Sequence, residues 1–267
     1  MTAVAVSYTA HGAVDAPVVV LSNSLGATRG MWDPQVPALA ERYRVVTYDT
    51  RGHGDSPAPQ GPYALDDLVD DLVALLDEVG AERGHVAGLS LGGMTAIRLA
   101  AREPARVDRL ALLATSAKPD PQVFLDRARA ARSGGTAAIA PAVAARWLTP
   151  SYAAAHPDLV ARLEAMIAMA DDEGYAACCE VIAQLDLRAE IGSITAPTLV
   201  ISGREDPALP PEHQELIAGT IPGAELVTIS PGAHLPNLEQ DLQVTGALLG
   251  HFDAAGLGRR GAAAGAR

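Results

Sequence analysis

Short apolar runs alternate with helical stretches along the first 117 residues of the chain. Apolar residues recur at helical spacing from Leu65 to Val79, between the apolar runs that end at Tyr48 and begin at His85. Aspartates lie in the first turns of this stretch, where the helix dipole favours negative charge. Such alternation predicts a mostly parallel sheet with helices on both faces. The runs that read as strands buried on both faces are Val18–Leu21, Tyr43–Tyr48, His85–Leu89 and Leu110–Ala114.

The pattern changes in the middle of the chain, where residues 118–195 are rich in Ala and Arg and contain no convincing strand. Two further strands are predicted over 197–202 and 224–229. We therefore predict a core formed by 1–117 and 196–255, with 118–195 inserted between two sheet strands as a helical cap. Separate N- and C-terminal domains are the alternative, but they leave the late strands without a sheet of their own. The Gly-, Ala- and Arg-rich residues 256–267 lack apolar periodicity and predict a disordered tail.

The pentapeptide Gly-Leu-Ser-Leu-Gly at residues 88–92 is the strongest chemical signal in the sequence. It lies where a predicted strand ends and a helix begins, which is the context that a G-x-S-x-G nucleophile turn requires. Glycines on either side avoid side-chain collisions in so tight a turn and leave the Ser90 hydroxyl exposed above the sheet. We predict that Ser90 is a nucleophile.

A serine hydroxyl needs a positioned base to become nucleophilic at neutral pH. Of the seven histidines, His234 alone lies in a loop after the last predicted strand, where the base follows in chain order. The acid should lie between Ser90 and His234 in sequence and follow a strand end. These conditions select Asp206, which would accept the imidazole N–H and stabilise the imidazolium. Glu205 is the alternative, because a one-residue difference in the turn would exchange the two.

Two backbone amides are predicted to form the oxyanion hole. The N–H of Leu91 is at the start of the helix that follows the nucleophile, and the N–H of Leu25 is in the loop after the first buried strand. A charged, Gly-rich loop at residues 49–56 lacks the Gly-Lys-Ser/Thr ending of a phosphate-binding loop. We expect Asp49 and Arg51 to tie a turn there, near the site.

Composition and charge restrict the partners of the chain. It has 267 residues, 49% of them hydrophobic, and a net charge of −12, which argues against nucleic acids and anionic membranes as partners. Adjacent Cys178 and Cys179 suit neither a disulfide loop nor a zinc site, and we expect packed or half-exposed thiols in a helix. No metal-ligand spacing, dinucleotide fingerprint, targeting segment or run of about 18 apolar residues occurs. We expect a cytoplasmic protein that needs no cofactor.

Several segments together resemble the 3-oxoadipate enol-lactonases, a family of α/β hydrolases. The Ser-centred motif identifies only the superfamily, whereas Asn-Ser-Leu-Gly at 23–26 and Tyr-Ala-Ala-Cys-Cys at 175–179 narrow the resemblance to this family. Asn23-Ser24 departs from the His-Gly of many relatives, and Asp241 stands where Pro is usual. Both departures leave the chemistry intact. The similar segments are residues 22–26, 31–33, 48–54, 88–94, 173–179 and 233–240.

The resemblance implies the α/β-hydrolase fold and hydrolysis of 3-oxoadipate enol-lactone to 3-oxoadipate in the breakdown of aromatic compounds. Because that substrate carries a carboxylate, we expect a cation in the pocket. Arg146 beside Trp147 in the cap would supply a forked donor and an aromatic wall. Three other cap arginines compete with Arg146 for this role: Arg127, Arg129 and Arg132.

Other functions of the same fold remain alternatives. A general carboxylesterase or a cofactor-free haloperoxidase would use the same triad and differ mainly in the cap. A ligand-binding receptor with little turnover would be favoured by a damaged triad, and the sequence shows no such damage. Epoxide hydrolases and dehalogenases use an Asp nucleophile, where this chain has Ser90.

Overall fold

The computed structural model describes residues 3–263, with side chains described for residues 3–254. Its centre is a seven-stranded sheet with the spatial order β1-β3-β2-β4-β5-β6-β7, in which β1 is antiparallel to β3 and the other pairs are parallel. The predicted mostly parallel sheet is thereby confirmed. The strands are β1 Tyr8–His11, β2 Val18–Ser22, β3 Arg44–Tyr48, β4 Gly84–Leu89, β5 Val107–Leu113, β6 Thr198–Gly203 and β7 Glu225–Ile229.

Helices cover both faces of this sheet and form the insertion between β5 and β6. Those that belong to the α/β core are α1 Val36–Ala40, α2 Leu65–Glu78, α3 Leu91–Arg102, α9 Pro211–Thr220, α10 Pro236–Glu239 and α11 Asp241–Ala263. Those of the insertion are α4 Pro121–Gly134, α5 Thr136–Ala144, α6 Pro150–Ala155, α7 Pro157–Ala168 and α8 Asp172–Gln184. Short 3-10 helices cover Arg29–Trp32, Pro104–Arg106 and Ile191–Ser193.

Alternate residues of the central strands face two separate apolar layers. Val20 and Leu112 pack with residues of α2, α3 and α9. Leu21 and Leu113 pack on the other face with residues of α1 and α11. Since both faces of the strands are covered, a continuous apolar run is the expected pattern for each central strand. This is why continuous apolar runs were enough to locate β2 to β6 in the sequence.

Strand β1, Tyr8–His11, was missed by the sequence analysis. It is a four-residue edge strand whose residues are half-buried or exposed, paired antiparallel with β3 from Tyr8 opposite Tyr48. A strand with one open edge and no buried face lacks the apolar run that marked the others.

The predicted helical cap is confirmed as helices α4 to α8 between β5 and β6. Both cysteines are free and buried in α8, where burial raises the pKa of Cys179 to about 12. The predicted tail, residues 256–267, overlaps the end of α11, and residues 264–267 lie outside the described residues. Among residues 3–263, none of the helices combines the length and apolar character that crossing a membrane requires.

Candidate active site

Ser90 occupies the sharp turn between β4 and α3. Its backbone has φ 55° and ψ −115°, a strained conformation for a residue with a side chain. Two hydrogen bonds hold it there: the Ser90 N–H donates to the carbonyl of Leu113 at 2.9 Å, and Thr115 Oγ1 donates to the carbonyl of Ser90 at 2.7 Å. The neighbouring strand and its loop therefore stabilise the turn that presents the serine.

The glycines on either side of Ser90 are required by close backbone contacts. A Cβ added to Gly88 would lie 2.2 Å from the carbonyl oxygen of Gly92. A Cβ on Gly92 would lie 2.3 Å from the carbonyl oxygen of Ser22, at the end of β2. No side chain can replace either hydrogen without moving the backbone. The G-x-S-x-G pattern is thus explained by the packing of the turn.

The predicted base and acid are in direct contact. His234 Nδ1 lies 2.8 Å from Asp206 Oδ2, and both side chains are buried. The other oxygen of Asp206 accepts the backbone N–H groups of Ala208 at 2.7 Å and Leu209 at 3.1 Å. These bonds orient the carboxylate so that one oxygen faces the imidazole, which leaves His234 Nε2 as the nitrogen available to take a proton.

Glu205, the alternative acid, has different partners. Its carboxylate accepts the N–H of Gly232 at 2.8 Å and the hydroxyl of Ser230 at 2.9 Å. These contacts hold the beginning of the loop that carries His234. The geometry therefore favours Asp206 as the partner of the imidazole.

Ser90 and His234 line the same narrow cavity between the core and the cap, which we call the site cavity. The core side also contributes Leu25, one of the two predicted oxyanion donors. From the cap, Arg146 and Trp147, the predicted substrate-binding pair, line the cavity. A larger, open groove on the surface includes none of the predicted triad, so the chemistry favours the smaller cavity.

Two arginines line the site cavity, Arg127 and Arg146. Arg146 Nη2 donates to the carbonyl oxygen of Pro207 at 2.5 Å, and the Arg127 guanidinium carbon lies 5.3 Å from the centre of the Phe124 ring. Within residues 3–254, neither arginine forms an ion pair with a carboxylate. Burial, followed by the positive charge of Arg127, lowers the pKa of Arg146. This arrangement suits an anionic ligand, whose charge would relieve the repulsion.

The competing arginines of the cap have carboxylate partners. Arg129 forms an ion pair with Asp126 one helical turn away. Arg132 pairs with Glu180, and its Nε lies 3.0 Å from Glu173 Oε2. Neither of these arginines lines the site cavity. The choice among the four arginines therefore narrows to Arg127 and Arg146.

The loop that contains Leu25 is held from two sides. The Gly92 N–H donates to the carbonyl of Asn23 at 2.9 Å, which fixes the loop to the start of α3. The Gly26 N–H donates to Nε2 of His53 at 2.9 Å. Leu91 is the first residue of α3, where backbone N–H groups have no acceptor within the helix. Both predicted oxyanion amides thus belong to anchored backbone next to Ser90.

His53 is a buried residue beside the loop of Leu25 whose contacts the sequence did not indicate. It is fully buried, and this burial lowers the pKa of its imidazole, which favours the neutral form. With Nε2 accepting from Gly26, the proton belongs on Nδ1, which lies 3.1 Å from the carbonyl oxygen of Arg51. Sequence offered only a His in a Gly-rich turn, with no indication that the turn packs against the predicted oxyanion loop.

The loop at 49–56 is tied as expected, although Asp49 and Arg51 have separate partners. Asp49 pairs with Arg29 and accepts the N–H of Asp55 at 3.1 Å. Arg51 is fully buried and forms a two-pronged ion pair with Asp71 of α2, at 2.6 and 2.7 Å. These bonds fix the loop that contains His53.

Comparison with known proteins agrees with this geometry. The family model described as the alpha/beta hydrolase fold matches residues 17–241. The chain belongs to the α/β-hydrolase fold family. This α/β hydrolase is 37% identical over 238 residues to 3-oxoadipate enol-lactonase 2 of Acinetobacter baylyi, covering 89% of each chain. The crystal structure of the enol-lactonase from Burkholderia xenovorans LB400 superposes with a TM-score of 0.91 at 41% identity, covering 92% of this chain and 96% of the other.

A second group of relatives carries a different name. The α/β hydrolase is 31% identical over 254 residues to a protein of Stutzerimonas stutzeri named as a carbamate hydrolase, RutD, covering 92% of this chain and 96% of the relative. The identity to the enol-lactonases is higher. The resemblance to that family seen in the sequence is therefore confirmed.

Proposed function

We propose that this α/β hydrolase is a serine hydrolase that opens a small anionic lactone, with 3-oxoadipate enol-lactone as its substrate. The observation that carries the proposal is the composition of the site cavity. Ser90 and His234 line it together with Arg127 and Arg146, which have no carboxylate partner in the described part of the chain. A substrate with both an ester bond and a carboxylate matches this combination. The named enol-lactonase relatives support the same substrate class.

The three residues of the triad carry out the first half of the proposed reaction. Ser90 Oγ attacks the lactone carbonyl while His234 Nε2 takes its proton, and Asp206 stabilises the imidazolium. The N–H groups of Leu25 and Leu91 stabilise the negative oxygen of the tetrahedral intermediate. Collapse of the intermediate breaks the ring C–O bond, and the leaving enol oxygen receives the proton from His234. An enol is a better leaving group than an alkoxide, which favours this step.

In the second half, water replaces the enol at the acyl-enzyme. His234 takes a proton from the water, whose oxygen attacks the acyl carbonyl, and the same two amides stabilise the new oxyanion. Collapse breaks the acyl–Ser90 bond, returns the proton from His234 to Ser90 Oγ and releases the carboxylic acid. Because the lactone is cyclic, the acid and the enol are parts of one product molecule, whose enol converts to the ketone. No cofactor enters this scheme.

Arg127 and Arg146 are the proposed carboxylate-binding residues of the cap, with Trp147 as an apolar wall. A carboxylate bound by one forked guanidinium group, or by two guanidinium groups, is held strongly because both partners are charged. From the sequence, Arg146 is the preferred residue and Arg127 is one of its three competitors. Because both side chains line the site cavity, we assign the role to the pair.

Carbamate hydrolysis is the second candidate, since relatives at about one-third identity carry that name. The two functions differ in whether the substrate carries a carboxylate besides the bond that is hydrolysed, and in the leaving group. Purified protein should be assayed for the ultraviolet loss of the enol-lactone, beside p-nitrophenyl acetate and a simple carbamate. We expect kcat/KM to be highest for the enol-lactone. A higher value for the carbamate, or no preference over the neutral ester, would contradict the proposed substrate.

A further inference from the structure

Glu239 connects the cap to the loop that carries His234. It is the last residue of α10 and is 6% exposed. One carboxylate oxygen, Oε1, accepts the N–H of Ala233 at 2.6 Å. The other, Oε2, accepts both the N–H of Thr149 at 3.0 Å and its hydroxyl at 2.6 Å. Each oxygen of this buried carboxylate therefore holds a different segment of the chain.

The peptides on both sides of His234 are attached through these contacts. The N–H of Ala233, the residue before it, binds Glu239. The N–H of Leu235, the residue after it, donates to the carbonyl of Trp147 at 2.8 Å. Trp147 and Thr149 belong to the same stretch of the cap, next to the proposed carboxylate-binding Arg146. The imidazole is thus held between the core and the wall of the site cavity.

Helix α10, which carries Glu239, is itself fixed to the core. In α10, the side-chain amide of Asn237 donates to the backbone carbonyl of Met31 at 2.8 Å, and the backbone carbonyl of Asn237 accepts from Gln35 Nε2 at 2.9 Å. Both contacts cross about two hundred residues of sequence. Because α10 is anchored, the carboxylate can set the distance between the cap and the His234 loop.

We propose that Glu239 is a positioning residue that fixes His234 relative to the cap, so that the base and the substrate-binding wall keep one geometry. The proposal rests on the proposed role of His234 as the base. A Gln at this position has the same shape but one amide NH₂ in place of an acceptor oxygen. The backbone N–H of Ala233 or that of Thr149 then faces the amide NH₂, a donor against a donor, and that backbone hydrogen bond is lost.

The test uses p-nitrophenyl acetate, a neutral ester whose turnover needs the triad but not the carboxylate-binding arginines. We expect Glu239→Gln to lower kcat about 10-fold or more with little change in KM, since small misplacements of a catalytic group cost up to about 10² in rate. The burst of p-nitrophenol counts intact sites, so kcat is expressed per folded active site. Glu215→Gln, on the exposed face of α9, is the matched control and should match the wild type.

A spectroscopic measurement separates positioning from a purely structural role. The proton on His234 Nδ1, bonded to Asp206, gives a downfield NMR resonance that reports on the imidazole. We expect Glu239→Gln to shift or broaden it. An unchanged resonance together with kcat per site within two-fold of wild type would overturn the proposal, whatever happens to the melting temperature.

A second pair of variants leaves Glu239 in place and guards against loss of folding. Thr149→Val removes only the hydroxyl donor, whereas Thr149→Ser keeps it. We expect about a three-fold lower kcat for the valine variant and near wild-type kcat for the serine variant, because the valine variant loses one of the two contacts between Thr149 and the Glu239 carboxylate. Equal kcat values for the two would contradict the proposal. A wild-type protein that turns over the neutral ester but not the enol-lactone would instead refute only the proposed substrate.

Discussion

The N–H of Gly26 donates a hydrogen bond of 2.9 Å to Nε2 of His53, a fully buried imidazole. This contact ties the loop that carries Leu25 to the loop between β3 and α2. It connects the backbone of the proposed oxyanion hole to Arg51 and, through the Arg51–Asp71 ion pair, to α2. The position of the Leu25 N–H, one of the two proposed oxyanion donors, thus depends on His53, which does not line the site cavity.

Replacement of His53 by Phe should therefore impair catalysis as well as stability. The Gly26 N–H would lose its acceptor, at a cost of about 1–3 kcal/mol in the free energy of unfolding. We expect kcat to fall by about 10-fold, less than the 10²–10³ that removal of a whole oxyanion donor costs. Steady-state kinetics and urea unfolding would measure the two effects. His53→Gln keeps an acceptor and should recover part of kcat, whereas the exposed His11→Gln should change neither quantity.

Removal of the two cavity arginines should affect substrates according to their charge. We expect Arg127→Ala and Arg146→Ala each to raise KM for the enol-lactone by about 10-fold or more, since a hydrogen bond to a charged group is worth about 1.5–3 kcal/mol. KM for p-nitrophenyl acetate should stay unchanged. Arg129→Ala, which removes an exposed arginine that pairs with Asp126, is the control. An equal rise in KM for both substrates would refute the proposed carboxylate contact.

The assignment of the acid can be tested by two neighbouring substitutions. We expect Asp206→Asn to lower kcat by about 10⁴, because an amide favours the wrong imidazole tautomer, as in other triads. Glu205→Gln weakens only the contacts with Ser230 and Gly232 and should cost far less. Ester hydrolysis measured with equal concentrations of titrated sites gives the comparison. The reverse order of effects would transfer the role to Glu205.

The free energy of unfolding should decrease as the solution is acidified from pH 7 to pH 4. Burial is the largest of the effects that lower the pKa of His251 to about 4, whereas an unfolded His titrates near 6.5. Between these values the unfolded chain binds a proton that the folded protein does not, so acid favours unfolding. Burial lowers the pKa of His53 in the same direction.

Calorimetry at several pH values would measure this dependence. His251→Asn removes one of the titrating groups, and we expect the melting temperature of the variant to fall less steeply than that of the wild type between pH 6.5 and 4. His11→Gln, at an exposed position, should leave the slope unchanged. An identical slope for His251→Asn and the wild type would show that this imidazole does not contribute.

The sequence by itself determined the sheet, the helical insertion and the candidate residues of the triad. Central strands that are covered on both faces must be apolar throughout, and the turn at Ser90 requires Gly at its two crowded positions. Both features can therefore be predicted from short stretches of sequence. The edge strand β1 has no such constraint and left no pattern.

Tertiary structure alone decided which side chains meet. Arg127 and Arg129 differ by two positions on one helix, yet the first faces the site cavity and the second pairs with Asp126. The contacts of His53 with Gly26, and of Glu239 with Thr149 and Ala233, join segments that local sequence cannot relate. Hydrogen bonds between distant segments depend on how the loops pack, and no periodicity or motif records that packing.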